Sequence, residues 1–419
     1  MTDTKGVTSV CSLAADAVQT SHSLSPLVAA VAADRQHTID LLAQLVATPS
    51  PNPPGDTVDV ANLVASELRG IGLDVHEYLP RQSGPNLVVP MDLGRPGPHV
   101  ILNAHLDTFP PSSGFVGPYQ PRTTEDRIYG CGVSDMKAGI SITVALARAI
   151  AVHASDLSGR LTLTYSSDEE SGGALGTAWL LDNVQELQEA DVCFVLDQSG
   201  RYQIGIAEKG QCWIRLTARG GGGHAAYRQN ASAIDSLIEA ISILRSACEL
   251  PLAPAPDGVV APDQARTVTV NVGRINGGTS PNLLATAATA DVDIRFPLGL
   301  TALPVLDTIR AELRRLHVAC DLSVISMQDA TETNPSDPYI KVLQGVASTM
   351  LQRKVESVVR VGGSDARLFR RAGLPTAVYG LTPHNMGAAD EFIELAELSS
   401  LTDIYAATLE TVFTNRTSA

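Results

Sequence analysis

Val100-Ile101-Leu102-Asn103-Ala104-His105-Leu106-Asp107 is the stretch whose reading decides the fold. Its first residues are apolar or small, and turn-rich Thr108-Phe109-Pro110-Pro111 follows. The run therefore reads as a buried strand whose last residues surface at a sheet edge. Ligands of open α/β sheets collect at such edges. His105 and Asp107 are two residues apart, and strand side chains alternate, so both point to one face. There the imidazole can bind a metal while the carboxylate orients it. An isolated His-x-Asp has a plainer explanation, a histidine satisfied within the core. What raises the odds of a metal is the arrival of further His and acidic residues at later strand ends.

Downstream, Arg127-Ile128-Tyr129-Gly130-Cys131-Gly132-Val133-Ser134-Asp135 is a Gly-rich loop that delivers Asp135 just before the helical run Ile140–Val152. Helix capping would explain that acid on its own. Leu161-Thr162-Leu163-Thr164-Tyr165 then alternates as a strand and runs into Asp168-Glu169-Glu170, followed by Ser171-Gly172-Gly173. Three adjacent carboxylates repel one another unless a cation or proton sits among them. The next strand, Val192–Leu196, ends on Asp197. Three successive strands thus bring His105/Asp107, Glu169/Glu170 and Asp197 to one edge, with Asp135 between.

Upstream, Ile39, Leu41, Leu42, Leu45 and Val46 have helical spacing, broken at Pro51-Asn52-Pro53-Pro54-Gly55. A second helix is expected from Asp56 as N-cap to Gly70/Gly72, then strands near 74–78, 86–89 and 99–104. From about Gly210 the chemistry thins. A strand over 213–218, the glycine run Gly220–Gly223, a helix over 231–244, strands over 267–272 and 287–296, a helix near 305–316 and a strand near 320–325 follow. Two helices on a four-stranded, largely antiparallel sheet form the layering of a small inserted α+β domain. The expected organisation is an N-terminal extension (1–35), with an added helix or loose leader around Leu24 to Ala33, a catalytic domain (36–209 and 330–419) and a lid or dimerisation domain (210–329). The fold class is α/β, a mixed, largely parallel sheet between helices plus the inserted antiparallel domain.

The chain has 419 residues, more than one core usually supports, with 44% hydrophobic and 18% charged residues. A formal net charge of −15 argues against nucleic-acid or anionic-membrane partners. Six cysteines without CxxC pairs suit reduced thiols rather than a disulfide frame. The N-terminus lacks a basic region followed by a continuous apolar core, and no run reaches the length of a membrane span. The expected location is the cytoplasm.

These motifs, from Thr38 to the C-terminus and in this order, resemble the di-zinc amidohydrolase and metallopeptidase family that includes acetylornithine deacetylase, succinyl-diaminopimelate desuccinylase, aminoacylase and glutamate carboxypeptidase. The resemblance implies His105 and Asp197 as ligands of one zinc, with Asp107 orienting His105. It implies Asp135 as the bridging carboxylate, followed by a cis peptide, and Glu170 and His384 as ligands of the second zinc. Glu169 corresponds to the general base, and Glu391 to the acid that often follows the final His. Many members have Glu where this chain has Asp197. His224, after the glycine run, resembles the His that reaches into a partner subunit's site and helps hold the oxyanion. Asn282, Arg295 and the segment Gly362–Arg367, with Ser364 and Arg367, fall where the family binds the substrate carboxylate.

Two divalent ions, zinc with cobalt or manganese as alternatives, are the implied cofactors. The implied activity is a deacylase acting on an N-acyl amino acid or similar small amide, in a homodimer. His384-Asn385-Met386-Gly387 looks more like general deacylases than dedicated desuccinylases. Carboxypeptidase, dipeptidase and succinyl-diaminopimelate desuccinylase are the alternatives within the family, and a non-catalytic metal-binding relative is the alternative outside enzymes. A non-ligand carboxylate such as Glu169 has no purpose in mere binding.

Overall fold

The computed structural model describes residues 25–227 and 230–414. The chain divides into two compact units, the first running to Ile206 and including Thr333–Val358 and Ser364 onward, the second Ala207–Glu332 with Val359–Gly363.

The first unit opens with α1 (Pro26–Ala33), α2 (Arg35–Ala47) and α3 (Val58–Gly70), then β1 (His76–Arg81), β2 (Gly84–Asp92), β3 (His99–His105), β4 (Arg122–Thr123) and β5 (Arg127–Tyr129). Next come α4 (Ala138–His153), β6 (Arg160–Ser166), α5 (Thr177–Asn183), β7 (Val192–Val195) and β8 (Gln203–Glu208), whose last two residues belong to the second unit. Its strands run in the order β1-β2-β6-β3-β7, then a strand from the chain's final part, β15 (Thr376–Val378), then β8. β6, β3, β7 and β15 are parallel, and β2 joins β6 antiparallel. Because β6, β3 and β7 are parallel neighbours, their C-terminal ends lie at one edge. Every residue of β3 is buried, as its near-continuous apolar run requires of a central strand covered on both faces. Ile101 and Leu102 are both 0% exposed, and each such side chain contributes about 1.5–3 kcal/mol on burial.

Helices α1, α2 and α3 each pack on α4, and α11 (Leu395–Thr414) packs on α1 and α4. On other contacts α5 meets α10 (Ala366–Arg371), and Leu180, Leu187, Phe369 and Leu374 close over Val88, Ile101, Cys193 and Val378 of the sheet. Among the described residues, Val133–Asp156 is apolar and long enough by composition to cross a membrane, contrary to the expectation that no run is. Here it is a core segment: α4 is apolar on nearly every side and packed against α1, α2, α3, α11 and β3.

In the second unit β9 (Gly210–Arg219), α6 (Ala233–Ala247), α7 (Asp263–Arg266), β10 (Thr269–Gly277), β11 (Ala287–Phe296), α8 (Ala302–Arg315) and β12 (Cys320–Gln328) follow in order, then β13 (Thr331–Glu332), antiparallel to the end of β8. The four-stranded sheet has the order β10-β11-β9-β12, antiparallel throughout. Ala288, Ala290, Val292, Ile294 and Phe296 alternate inward along β11 and meet Leu237, Leu244, Leu306 and Ile309 of the two long helices. The fold thus comprises a mixed sheet with a parallel centre and a separate antiparallel sheet.

The chain closes with α9 (Pro338–Met350), β14 (Glu356–Arg360), α10, β15, β16 (Phe392–Glu394) and α11. Asp337 caps α9, accepting from the N–H groups of Tyr339 and Ile340 ahead of a proline at the first turn. β16 pairs with β5, and β5 with β4, in a small three-stranded sheet that ties the loop after His384 to the loop before α4.

Candidate metal centre

His105 is the last residue of β3 and 2% exposed. Its Nδ1 lies 2.8 Å from the backbone carbonyl of Asp107, which can only accept, so Nδ1 carries a proton. Nε2 then faces Asp135 Oδ1 at 3.1 Å. In a neutral ring both are acceptors, and the pair demands a positive charge: a second proton or a metal ion. Burial works against a charged imidazole here, but the carboxylates of Asp107 and Asp135 prevail and raise its pKa well above the ordinary value.

Asp135 does not cap α4, whose first residue is preceded by Lys137 without a side-chain cap. It sits in the irregular turn Val133–Lys137 with extended backbone, φ −126° and ψ 90°, and a cis peptide bond to Met136. Its carboxylate faces His105 at the end of β3. Ligand atoms of His105, Asp135 and Asp197 lie within 4.8 Å of one another, all three residues being buried.

Asp168, Glu169 and Glu170 part company in the turn after β6. Asp168 turns away to accept the Leu175 N–H at 2.7 Å and so belongs to the scaffold. Glu169 Oε1 accepts from Arg367 Nη1 at 2.9 Å. Glu170 Oε1 is buried with no hydrogen-bond partner. Burial, then the negative charges of Asp135, Glu169 and Asp107, push the Glu170 carboxyl up to about 10. An orphaned buried carboxylate oxygen and two facing acceptors on His105 and Asp135 fit a cation, and a set of imidazole and carboxylate donors without thiolate fits a catalytic divalent ion.

Asp107 faces His105 and makes further contacts as well. Its carboxylate oxygen Oδ1 lies 3.5 Å from His105 Nδ1, farther than its own carbonyl oxygen. The carboxylate also accepts from Glu169 N (3.2 Å), Glu170 N (3.1 Å) and Asn52 Nδ2 (2.8 Å). Asn52 also donates to Ser171 Oγ at 3.0 Å. The fully buried Asp107 thus pins the turn that carries the two glutamates.

His384 stacks on Phe392 with ring centroids 4.4 Å apart and planes 5° off parallel, and it is not among the three residues within 4.8 Å. Ser364 is fully buried and its Oγ accepts the Ala366 N–H. In the second unit, His224 is exposed, bridges to Leu283 beside Asn282, and accepts the Ala226 N–H at Nδ1. Asn282 accepts at Oδ1 from Ser280 Oγ, and Arg295 Nε donates to both oxygens of Asp293. Asn52 was missed as a site residue because its Pro-rich neighbourhood reads only as a helix break, and Asp365, buried and hydrogen-bonded to Ser166 and Thr177, carries no sequence signal beyond its place in the Gly362–Arg367 segment.

Residues 101–411 match the peptidase family M20/M25/M40, and the chain belongs to that family. It is a metal-dependent hydrolase of peptide and amide bonds. It is 30% identical to the succinyl-diaminopimelate desuccinylase of Gluconacetobacter diazotrophicus, over 89% of this chain and 96% of that one. Another succinyl-diaminopimelate desuccinylase, from Gluconobacter oxydans, is 30% identical over 83% of this chain and 91% of its own. In fold the chain is similar to the dipeptidase Dug1p of Saccharomyces cerevisiae, with TM-score 0.76, 13% identity, and 93% of this chain and 98% of that one covered. A dinuclear metal-binding peptidase of the M20 family from Bacillus subtilis matches with TM-score 0.64 and 14% identity, covering 91% and 99%.

Proposed function

We propose that the chain is a deacylase that uses two divalent ions to hydrolyse the amide bond of an N-acyl amino acid, or a similar small amide bearing a carboxylate, releasing the free amine. The observation that carries this reading is the convergence of His105, Asp135 and Asp197, with the Glu170 carboxyl close enough to feel the charges of Asp135 and His105 and its Oε1 buried without a hydrogen-bond partner. His105 and Asp197 would hold one ion and Glu170 and His384 the other, with Asp135 as the ligand shared between them. Zinc is the proposed metal, and cobalt or manganese suits the same donors. Ions so held supply Lewis acidity, polarising the substrate carbonyl and lowering the pKa of water.

Glu169 takes the proton of the attacking water and delivers it to the leaving nitrogen. Asp107, through the N–H groups of Glu169 and Glu170, keeps that base in place. Arg367 now donates to Glu169, and a substrate carboxylate competes for it, so carboxylate recognition also releases the base. Asn282, Arg295 and Ser364 are the further carboxylate-binding residues. With Nδ1 of His224 accepting, its neutral ring carries the proton on Nε2, a donor for the oxygen on which charge develops. We assign residues 210–329 as the lid and dimerisation domain, 36–209 with 330–419 as the catalytic domain, and the homodimer as the assembly in which His224 completes the partner's site. The free thiols of Cys131, Cys193, Cys212, Cys248 and Cys320 accord with a cytoplasmic location.

A second reading, N-succinyl-diaminopimelate as the particular substrate, is favoured by the 30% identity to a desuccinylase over 89% of the chain. A panel of N-acetyl, N-succinyl and N-formyl amino acids with a dipeptide, assayed for free amine in the presence of zinc, tests both. Best turnover of N-succinyl-diaminopimelate selects the second, broad turnover of N-acyl amino acids the first, and turnover of the dipeptide alone overturns both.

A further inference from the structure

Glu391 is 2% exposed and lies on none of the elements that carry the clustered ligands. Its Oε2 accepts the Gly132 N–H at 3.0 Å, while Oε1 accepts the Ser134 N–H at 2.9 Å and the Ser134 hydroxyl at 2.7 Å. Its backbone carbonyl accepts the Gly130 N–H at 3.0 Å. One residue therefore receives four donors from the loop that ends at Asp135. Other bonds hold the loop at its flanks, from the Cys131 N–H to the Pro118 carbonyl at 2.8 Å and from Lys137 Nζ to the Leu45 and Thr48 carbonyls, but the Gly132 and Ser134 N–H groups are met by Glu391. Gly132 is left-handed at φ 74°, and a Cβ there would stand 2.3 Å from Thr108 Cγ2. Asp135 and Met136 depart from helical geometry, so the regular ladder of α4 begins only beyond them. The N–H groups of Gly132 and Ser134 left by this turn offer donors suited to an anion, and the Glu391 carboxylate meets both.

The next residue extends the link. Phe392 begins β16, pairs with Tyr129 of β5 and stacks on the ring of His384. Glu391-Phe392 thus touches both the Asp135 loop and the loop of the last histidine.

We propose that Glu391 is a positioning residue that sets metal affinity by holding the Gly130–Ser134 loop, and with it Asp135, in the binding geometry. This rests on the reading of Asp135 as the bridging ligand. A carboxylate suits the task because every one of its contacts is a donor. In Glu391→Gln the amide NH2 must face either the Gly132 N–H or the two donors of Ser134, so at least one loop contact becomes donor against donor. Loss of a residue that holds a metal ligand from behind costs about 10–100-fold in metal affinity.

The test is zinc affinity of the full chain, measured by competition with a chromophoric chelator. The compared proteins are wild type, Glu391→Gln, Ser134→Ala, Asp135→Ala and Leu187→Ala. Leu187 lies in the hydrophobic cluster with Phe369 and Leu374 and controls for general destabilisation. The expected result is a 10–100-fold weaker affinity for Glu391→Gln, a smaller loss of about threefold for Ser134→Ala, and wild-type affinity for Leu187→Ala. Unchanged affinity in Glu391→Gln, or an equal loss in Leu187→Ala, overturns the proposal. Should Glu391→Gln not fold, Ser134→Ala decides, and wild-type affinity there overturns it. If Asp135→Ala itself binds zinc as wild type does, the bridging reading fails and takes the proposal with it. If Asp135→Ala alone loses affinity, only the proposal about Glu391 fails.

Discussion

Asp107→Asn separates two roles for one carboxylate. If Asp107 chiefly orients His105, the substitution disturbs the metal; if it chiefly pins the turn of Glu169 and Glu170, it disturbs the base. The contacts favour the turn, since Oδ1 accepts Glu169 N at 3.2 Å while Oδ2 accepts Glu170 N at 3.1 Å and Asn52 Nδ2 at 2.8 Å. An asparagine can keep only one of these oxygens. Its least costly placement retains the two bonds at Oδ2 and sets NH2 against the Glu169 N–H. That N–H is then buried without an acceptor, a cost of about 1–3 kcal/mol delivered at the proposed base. With each 1.36 kcal/mol worth tenfold in rate, the expected fall in kcat is about 10–100-fold. His105 Nδ1 keeps its bond to the Asp107 carbonyl, which the substitution leaves in place, so metal content stays at the wild-type value. The assay is initial-rate amine release from an N-acyl amino acid, with bound metal counted by elemental analysis on the same preparation. A kcat within twofold of wild type refutes the reasoning, as does a fall in activity that follows loss of metal.

Four further outcomes are expected. Asn52→Ala removes the 2.8 Å bond to Asp107 and the 3.0 Å bond to Ser171 Oγ but leaves both backbone contacts of the Asp107 carboxylate in place, and it lowers kcat less than Asp107→Asn does; the same rate assay, showing a larger fall, would contradict this ordering. Asp135→Ala binds neither ion, whereas Glu170→Ala or His384→Ala retains one; elemental analysis finding two equivalents in Asp135→Ala would reduce Asp135 to a loop residue. Asp365→Asn tests a pH dependence: burial, then the charge of Glu169, pushes the Asp365 carboxyl up to about 7, above its unfolded value of about 3.9. A raised folded pKa contributes stability that is full below about pH 4 and lost as pH rises through about 7, so urea midpoints of the asparagine variant gain on wild type across that window, and parallel profiles would contradict the assignment. His224→Ala mixed with Glu169→Gln under subunit exchange restores amine release if His224 acts in the partner's site, and no recovery despite proven exchange refutes that role.

What was legible in the sequence follows from the range of the interactions involved. β3 and β7 are buried along their whole length and announce themselves as apolar runs, and the acids and His at their ends stand within one or two residues of them. The inserted sheet was legible because β11 alternates with period two over ten residues, long enough for the pattern to show. The sheet of β4, β5 and β16 was not, since strands of two or three residues carry no period. Local chemistry also shifted details: Asp56 was expected to cap α3, and it does accept the Val58 N–H, but Thr57 occupies the N-cap position. The three acids at 168–170 read alike, and only the fold sends Asp168 to Leu175 while Glu170 Oε1 stays buried without a hydrogen-bond partner. Glu391 and Ser134 are 257 positions apart, and no local pattern links them.

Glu169→Gln most directly tests the central claim that this is a metal-dependent amide hydrolase with Glu169 as its base. Glutamine keeps the shape of the side chain and removes the proton acceptor. Measured for amine release and for bound metal in one experiment, wild type loaded with zinc should release free amine from an N-acyl amino acid. The variant should hold the same metal and lose about 10²–10⁴-fold in turnover. A variant that turns over at the wild-type rate, a variant that has lost its metal, or a metal-loaded wild type that releases no amine would contradict the account.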